Sequence, residues 1–374
     1  SAATVKVRGT FLNETKQAKK LSIVSQIVEK NGNTAATLTS AVTAKAGEKV
    51  NFTQNTAKPI ANPKLWSPEN PNLYYVITQI KEGDKVIDEV RNPLGFRWWK
   101  FDADKGFFLN GKSLKLVGAN RHQDFLNLGN ALSDDQHRQD MKLMKEMGSN
   151  FIRISHYPQD PAILQACDEL GIIAWEESPL VNKITMSEGF FYNSKEMHKD
   201  MIRQHYNHPS ILMWGYMNEI FLQLPYKKED TTRFNPYARE LVRLAKELNQ
   251  LSKQEDPNRN TVIAFHHSQL YNEWGLGEVT DVVGWNLYFG WYHDDLSVFG
   301  KFMDEEKKKY PKRVHLISEY GAGSDERIHS FMPEPFDFSA EWQRRYHESY
   351  NAQIMERPYI AGMAIWNFVN FNSE

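Results

Sequence analysis

Apolar and polar positions alternate over Val5-Lys6-Val7 and Leu21-Ser22-Ile23, the two-residue period of half-buried strands. Leu73 to Ile80 and Val86 to Val90 read as further strands. Asn31-Gly32-Asn33, Gly47-Glu48 and Gly83-Asp84 break the runs as turns. Short strands at this spacing predict an immunoglobulin-like β-sandwich over residues 1–97. With no Cys pair available, it is the general sandwich and not an antibody-type domain.

From about residue 106 the pattern changes to strands alternating with helices. Leu114 to Val117 is the first strand of the new series. In the helix predicted from Asp134 to Met147, Met141, Leu143, Met144 and Met147 recur at helical intervals as a buried face. Phe151 to Ile154 is the second strand. The helix from Pro161 to Leu170 carries its proline at the start and Gly171 just past the end. Ile172 to Trp175 and Ile211 to Trp214 follow as strands, with a helix near Lys195 to Tyr206 between them. A long helix from Pro236 to about Leu251 leads to a fifth strand, Val262 to Phe265. Val282 to Trp285, Val314 to Ile317 and Gly362 to Ile365 bring the count to eight. Eight apolar strands separated mostly by helices predict a (β/α)8 TIM barrel over residues 98–374. The sequence ends nine residues after Ile365, too few for an eighth helix, so the barrel reads as truncated after strand eight.

Composition narrows the class. Of 374 residues, 41% are hydrophobic and 25% charged, and the net charge is −2 with both signs interspersed. A globular protein fits, and the electrostatic reason to expect nucleic acid or an anionic membrane surface is gone. No apolar run reaches the length of a membrane span. Ten Trp and sixteen Tyr suit either a large aromatic core or the stacking of sugar rings. The one cysteine, Cys167, lies in the apolar helical stretch Ala162 to Cys167 and reads as a buried small hydrophobe. A lone cysteine fits cytoplasm and periplasm equally, and the oligomeric state stays open, a homo-oligomer included.

In a barrel of this kind functional side chains sit where strands end on the carboxyl face. The strand ends here carry a dense polar set. It comprises Asn120 to Asp124, Arg153 with Ser155-His156-Tyr157, Glu176-Glu177, Asn218-Glu219, His266-His267, Asn286 with Tyr288, Glu319-Tyr320 and Trp366-Asn367. Glu219 and Glu319 stand out, because each ends an apolar strand and only the fold can unite them. Hydrolysis of a glycoside needs such a pair, one carboxyl to protonate the leaving oxygen and one to attack or to activate water.

The segment Trp214 to Glu219 resembles the acid/base segment of the family 2 glycoside hydrolases. So do Asn120-Arg121-His122, Arg153 to Pro158, Asn207 to Ser210, Ser318 to Gly321 and Ile365 to Phe368, in order. The family includes β-galactosidases, β-glucuronidases and β-mannosidases, all retaining. The resemblance implies that Glu219 is the general acid/base and Glu319 the nucleophile. It implies that Asn218 bonds the sugar 2-hydroxyl, that Tyr288 holds the nucleophile, and that Arg153 orients a carboxylate. His122, Asp124 and His156 are implied as substrate contacts, and Trp366 as the platform under the sugar ring.

Large magnesium-dependent β-galactosidases of the family place a Glu and a His as metal ligands after strand three. Glu176 to Asn182 offers no such pair, and His266-His267 lacks the context of a zinc site, so no cofactor and no catalytic metal are expected. A carbohydrate substrate is the expected partner. The family reading points first to a terminal β-galactoside, because that activity is widespread in the family. β-Glucuronidase is the alternative, since Trp291-Tyr292-His293-Asp294 is close to that branch, whose Asn-x-Lys uronate reader would lie beyond this sequence. A reading from another class is a non-catalytic carbohydrate-binding or structural fragment lacking the terminal parts.

Overall fold

The computed structural model describes residues 2–371. The chain divides into two compact units, Ser1–Arg97 with Asn207–Pro209, and Trp98–Tyr206 with Ser210–Glu374.

The first unit is the sandwich-like β domain. Its larger sheet orders Thr34–Ala44, Lys19–Glu29, Tyr74–Glu82 and Lys85–Leu94, all antiparallel. Lys6–Leu12 pairs with Lys49–Asn55 in a second, two-stranded sheet, and Ala2–Ala3 pairs with Ile60–Ala61. In Lys19–Glu29 the residues Leu21, Ser25, Ile23 and Ile27 are buried at every second position, the face that alternation sends inward. Two clusters form the interior, one around Ile27, Leu38, Val76 and Phe96 and one around Leu21, Ile23, Ala44 and Ile80.

In the second unit eight parallel strands close into a barrel in sequence order. They are Leu116–Arg121, Phe151–Ile154, Ile173–Glu177, Ile211–Asn218, Asn260–His266, Val282–Asn286, Val314–Tyr320 and Ile360–Ile365. The last pairs with the first, Leu116 opposite Gly362. Four of the strands are buried along their whole length and the other four at all but one or two positions, as expected of a parallel sheet covered on both faces. The barrel lumen is filled by bulky side chains. Trp175 is fully buried, and a side chain at Gly215 or Gly284 would collide with its indole, so both strands carry glycine where the ring crosses.

Helices Asp134–Glu146 and Pro161–Leu170 lie close to their expected bounds, whereas Glu188–His205 begins seven residues ahead of the expected Lys195. The first is capped by a reciprocal Ser133–Gln136 box, the second ends on left-handed Gly171. The long helix runs Thr231–Glu255 and so begins five residues ahead of Pro236, which lies inside it. Three departures concern whole elements or bounds. The first barrel strand runs on through Asn120 and Arg121, which are buried although polar. Helices Val298–Lys309 and Ala340–Met355 were not expected. Neither was the small antiparallel sheet of Trp99–Asp102, Gly106–Leu109 and Lys112–Ser113 that precedes the barrel.

Candidate active site

The carboxyl ends of the strands surround a cavity of about 650 Å³ lined by His122, His156, Asn218, Glu219, Tyr288, Glu319 and Trp366, among others. Seven of the nine residues singled out in the sequence thus meet at one surface. Arg153 lies directly beneath it, fully buried, and Asp124 does not line it. Past His122 the chain is pinned by Gln123, whose N–H donates to the Tyr157 hydroxyl and whose Oε1 accepts from the Asp160 N–H. Asp124, the next residue, stands outside the set that lines the cavity.

Arg153 organises the floor. It rests over the Trp175 ring at 4.6 Å and donates from Nη1 to Glu319 Oε1 at 2.6 Å. Its Nε and Nη2 donate to the two oxygens of Glu177, both at 3.0 Å, and Nη2 also reaches Asn218 Oδ1 at 2.8 Å. Burial works against the guanidinium charge, but Glu177 and Glu319 outweigh it and hold its pKa above the ordinary value. Burial likewise works to raise Glu177, yet Arg153 and His156 bring it below the usual range. Glu177 also accepts from His156 Nδ1 at 2.8 Å.

The two glutamates on strands four and seven occupy different surroundings. Glu319 accepts on both oxygens, from Arg153 on Oε1 and from the Tyr288 hydroxyl on Oε2 at 2.8 Å. Burial and the charge of Glu319 push the Tyr288 phenol well up, so it stays a neutral donor. Among the described residues no cation pairs with Glu219. Its Oε1 accepts from Asn286 Nδ2 at 2.9 Å, and its backbone sits at φ 48°, an uncommon left-handed conformation for a residue with a side chain. Burial first, and the nearby Glu319 second, push Glu219 up to about 7. One carboxyl is thus held by donors and the other is poised to carry a proton near neutrality.

The remaining contacts involve rings. Trp366 stacks on His156 at 5.1 Å and 17°, and the rings of His122 and Phe371 stand nearly perpendicular to it. Tyr157 accepts from the Gln123 N–H, and its hydroxyl lies 3.2 Å from His122 Nδ1. Burial, with His156 next, pushes His122 down to about 4. On the side of strands three to six, the cavity is lined by Val181, Asn182, Leu222, Tyr292 and the imidazoles of His266, His267 and His293. Burial pushes His266 down to about 4, and the Tyr271 hydroxyl bonds its Nδ1 at 2.8 Å.

Sequence reasoning named Glu177 and Asn286 at strand ends without giving either a role. Glu177 is the main counter-charge of Arg153, and Asn286 links the amide of Asn218 to Glu219. The signal available was position alone.

Comparison with known proteins agrees with this geometry. The family model described as Glycosyl hydrolases family 2 matches residues 1–97, and that described as Glycosyl hydrolases family 2, TIM barrel domain, matches 103–374. A β-glucuronidase of Bacteroides fragilis is 38% identical over 327 residues, 84% of this chain and 44% of that protein. A β-galactosidase of Bacteroides ovatus is 28% identical over 371 residues, 93% of this chain and 42% of that protein. The solved structure of Bacteroides uniformis β-glucuronidase 2, covalently bound to cyclophellitol-6-carboxylate aziridine, is 45% identical. It superposes at a TM-score of 0.96 over 100% of this chain and 45% of its own. The chain therefore spans less than half the length of these relatives, and across both of its units it belongs to the glycosyl hydrolases of family 2.

Proposed function

We propose that the protein is a retaining exo-β-glycosidase acting on terminal β-glucuronides. The observation that carries the chemistry is the contrast between the two glutamates in one cavity, Glu319 held by Arg153 and Tyr288, Glu219 raised to about 7. In the first step Glu219 gives its proton to the glycosidic oxygen while a Glu319 oxygen bonds to the anomeric carbon. The carbon–oxygen bond to the aglycone breaks and the aglycone leaves as an alcohol. In the second step Glu219, now a carboxylate, takes a proton from water, whose oxygen attacks the anomeric carbon and displaces Glu319. Two inversions return the β configuration. Asn218, with its Oδ1 occupied by Arg153 and Asn286, has its amide N–H groups free for the sugar 2-hydroxyl.

The substrate class rests on the relatives. The B. uniformis protein, 45% identical over the whole of this chain, carries a ligand with a carboxylate at the position of a uronic acid. The β-galactosidase relative is more distant, at 28%. These likenesses support the glucuronide over the galactoside that the sequence first suggested. The test is kcat/KM of the full-length protein on 4-nitrophenyl β-D-glucuronide and β-D-galactoside, with the first-formed anomer read by NMR. Preference for the glucuronide and a β-anomer first are expected. Preference for the galactoside would replace the substrate class, an α-anomer would overturn retention, and inertness toward every glycoside would favour a non-catalytic role.

A further inference from the structure

We propose that Asn286 is a positioning residue that confines the acid proton of Glu219 to Oε2, the oxygen left free for the leaving group. This rests on the reading of Glu219 as the general acid.

The argument starts at a group with no choice. An arginine can only donate. Arg153 Nη2 lies 2.8 Å from Asn218 Oδ1, so that atom is an acceptor and the orientation of the Asn218 amide is fixed. The neighbour of Asn218 Oδ1 on its other side, 3.1 Å away, is the Asn286 side chain, which must therefore present its N–H group. The opposite end of the Asn286 amide agrees, because its Oδ1 accepts from the Ser318 hydroxyl at 2.6 Å. Asn286 Nδ2 has a second hydrogen, and it points at Glu219 Oε1, 2.9 Å away. Oε1 is thereby an acceptor. The carbonyl oxygen of a protonated carboxyl accepts an N–H bond better than its hydroxyl oxygen does, so the bond from Asn286 favours the proton on Oε2.

Place in the fold explains the reach. Asn286 ends the sixth barrel strand and stands in register with His266 on one side and Glu319 on the other. From there one amide touches the acid, the residue proposed for the 2-hydroxyl, and the residue before the nucleophile. The donated bond also favours the carboxylate over the acid form of Glu219, opposing the upward push of burial. Asn286 thus keeps the proton on the useful oxygen and keeps it transferable.

The experiment compares full-length wild type, Asn286→Ala and the isosteric Asn286→Asp, with Glu219→Gln as reference. Stoichiometric labelling of Glu319 by a 2-deoxy-2-fluoro glycosyl fluoride, whose leaving group needs little protonation, certifies that a variant is folded. Loss of one hydrogen bond should move the alkaline limb of kcat/KM up by about one pH unit in Asn286→Ala. The shift should be larger in Asn286→Asp, which sets an acceptor against Glu219. The rate loss, about tenfold, should fall on alkyl glycosides and largely spare 2,4-dinitrophenyl glycosides. An unmoved limb, or an equal loss for every leaving group, overturns the proposal. Should Asn286→Ala fail to label, the isosteric Asn286→Asp carries the same comparison alone. If instead Glu219→Gln shows wild-type sensitivity to the leaving group, the acid assignment itself fails, whatever Asn286 does.

Discussion

Arg153 Nη1 and Glu319 Oε1 meet at 2.6 Å, with side-chain exposures of 0% and 7%. An ion pair this deep is costly to form in either partner alone, and its geometry is what makes it tolerable. The same guanidinium holds Glu177, so one cation serves two buried carboxylates from neighbouring and distant strands.

Arg153→Met should therefore destabilise the fold by roughly 3–5 kcal/mol, because two carboxylates lose their counter-charge. Arg153→Lys should keep part of the charge but lose the fork that reaches Glu177, Asn218 and Glu319 together. Thermal melts should rank wild type above Lys above Met. A melt of Arg153→Met equal to wild type would show that the pair contributes nothing.

Tyr288→Phe removes the donor to Glu319 Oε2 and leaves the ring in place. A hydrogen bond to a charged group is worth about 1.5–3 kcal/mol, so kcat/KM should fall by about 10- to 100-fold. Stability should fall as well, because the buried Glu319 keeps only Arg153 as a donor. Unchanged kinetics would remove Tyr288 from the nucleophile's support.

Gly215 lies against the Trp175 indole from the neighbouring strand, and an added methyl would meet its nitrogen. Gly215→Ala should cost roughly 1–3 kcal/mol through overpacking, read as a lowered Tm. Because Arg153 rests on the same indole, activity should fall along with stability. A neutral substitution would mean that Trp175 can move aside.

The barrel and the two glutamates were legible because geometry forces them. A parallel barrel exposes only its strand ends, so an apolar run closing on a carboxylate points at the mouth of the barrel. What stayed hidden depends on partners far away in sequence. Glu177 looked like a failed metal ligand until Arg153, 24 residues before it, was seen to hold it. Asn286 acquires meaning only from Asn218 and Glu219, 68 and 67 residues away. Asn120 and Arg121 read as the start of a loop because they are polar, yet Arg121 is satisfied inside the barrel wall by Asp140 and Gln159. Helix Ala340–Met355 buries only Trp342, Tyr346, Tyr350 and Ile354, one residue per turn, which is too thin a stripe to stand out.

The assignment of roles predicts opposite products in azide. In Glu219→Gly the glycosyl-enzyme forms on activated aryl glycosides and azide, needing no general base, attacks it to give a β-glycosyl azide. In Glu319→Gly azide takes the place of the missing carboxylate and gives an α-glycosyl azide. Without azide, Glu319→Gln should lose nearly all turnover on every substrate. An α-azide from the Glu219 variant would reverse the two roles.

The raised pKa of Glu219 also makes a prediction about stability that is independent of substrate. Its carboxyl titrates near 7 in the folded protein, against an ordinary value of 4.5. Between those two values the folded state binds more protons than the unfolded one, so stability falls as pH rises through this window. Below about 4.5 the protonated carboxyl carries no penalty, and above about 7 the full cost of a buried anion beside Glu319 is present. A shift of this size corresponds to about 3 kcal/mol. Glu219→Gln replaces the carboxyl with a neutral group of the same outline that can still accept from Asn286 on its carbonyl oxygen. The variant should therefore melt higher than wild type at pH 8, and the difference should shrink toward zero as pH drops below 5. Denaturant unfolding of both proteins at pH 5 and pH 8 reads the effect directly. A constant difference across that range would mean that Glu219 ionises alike in the folded and unfolded states. Its place as the proton carrier of the site would then be lost.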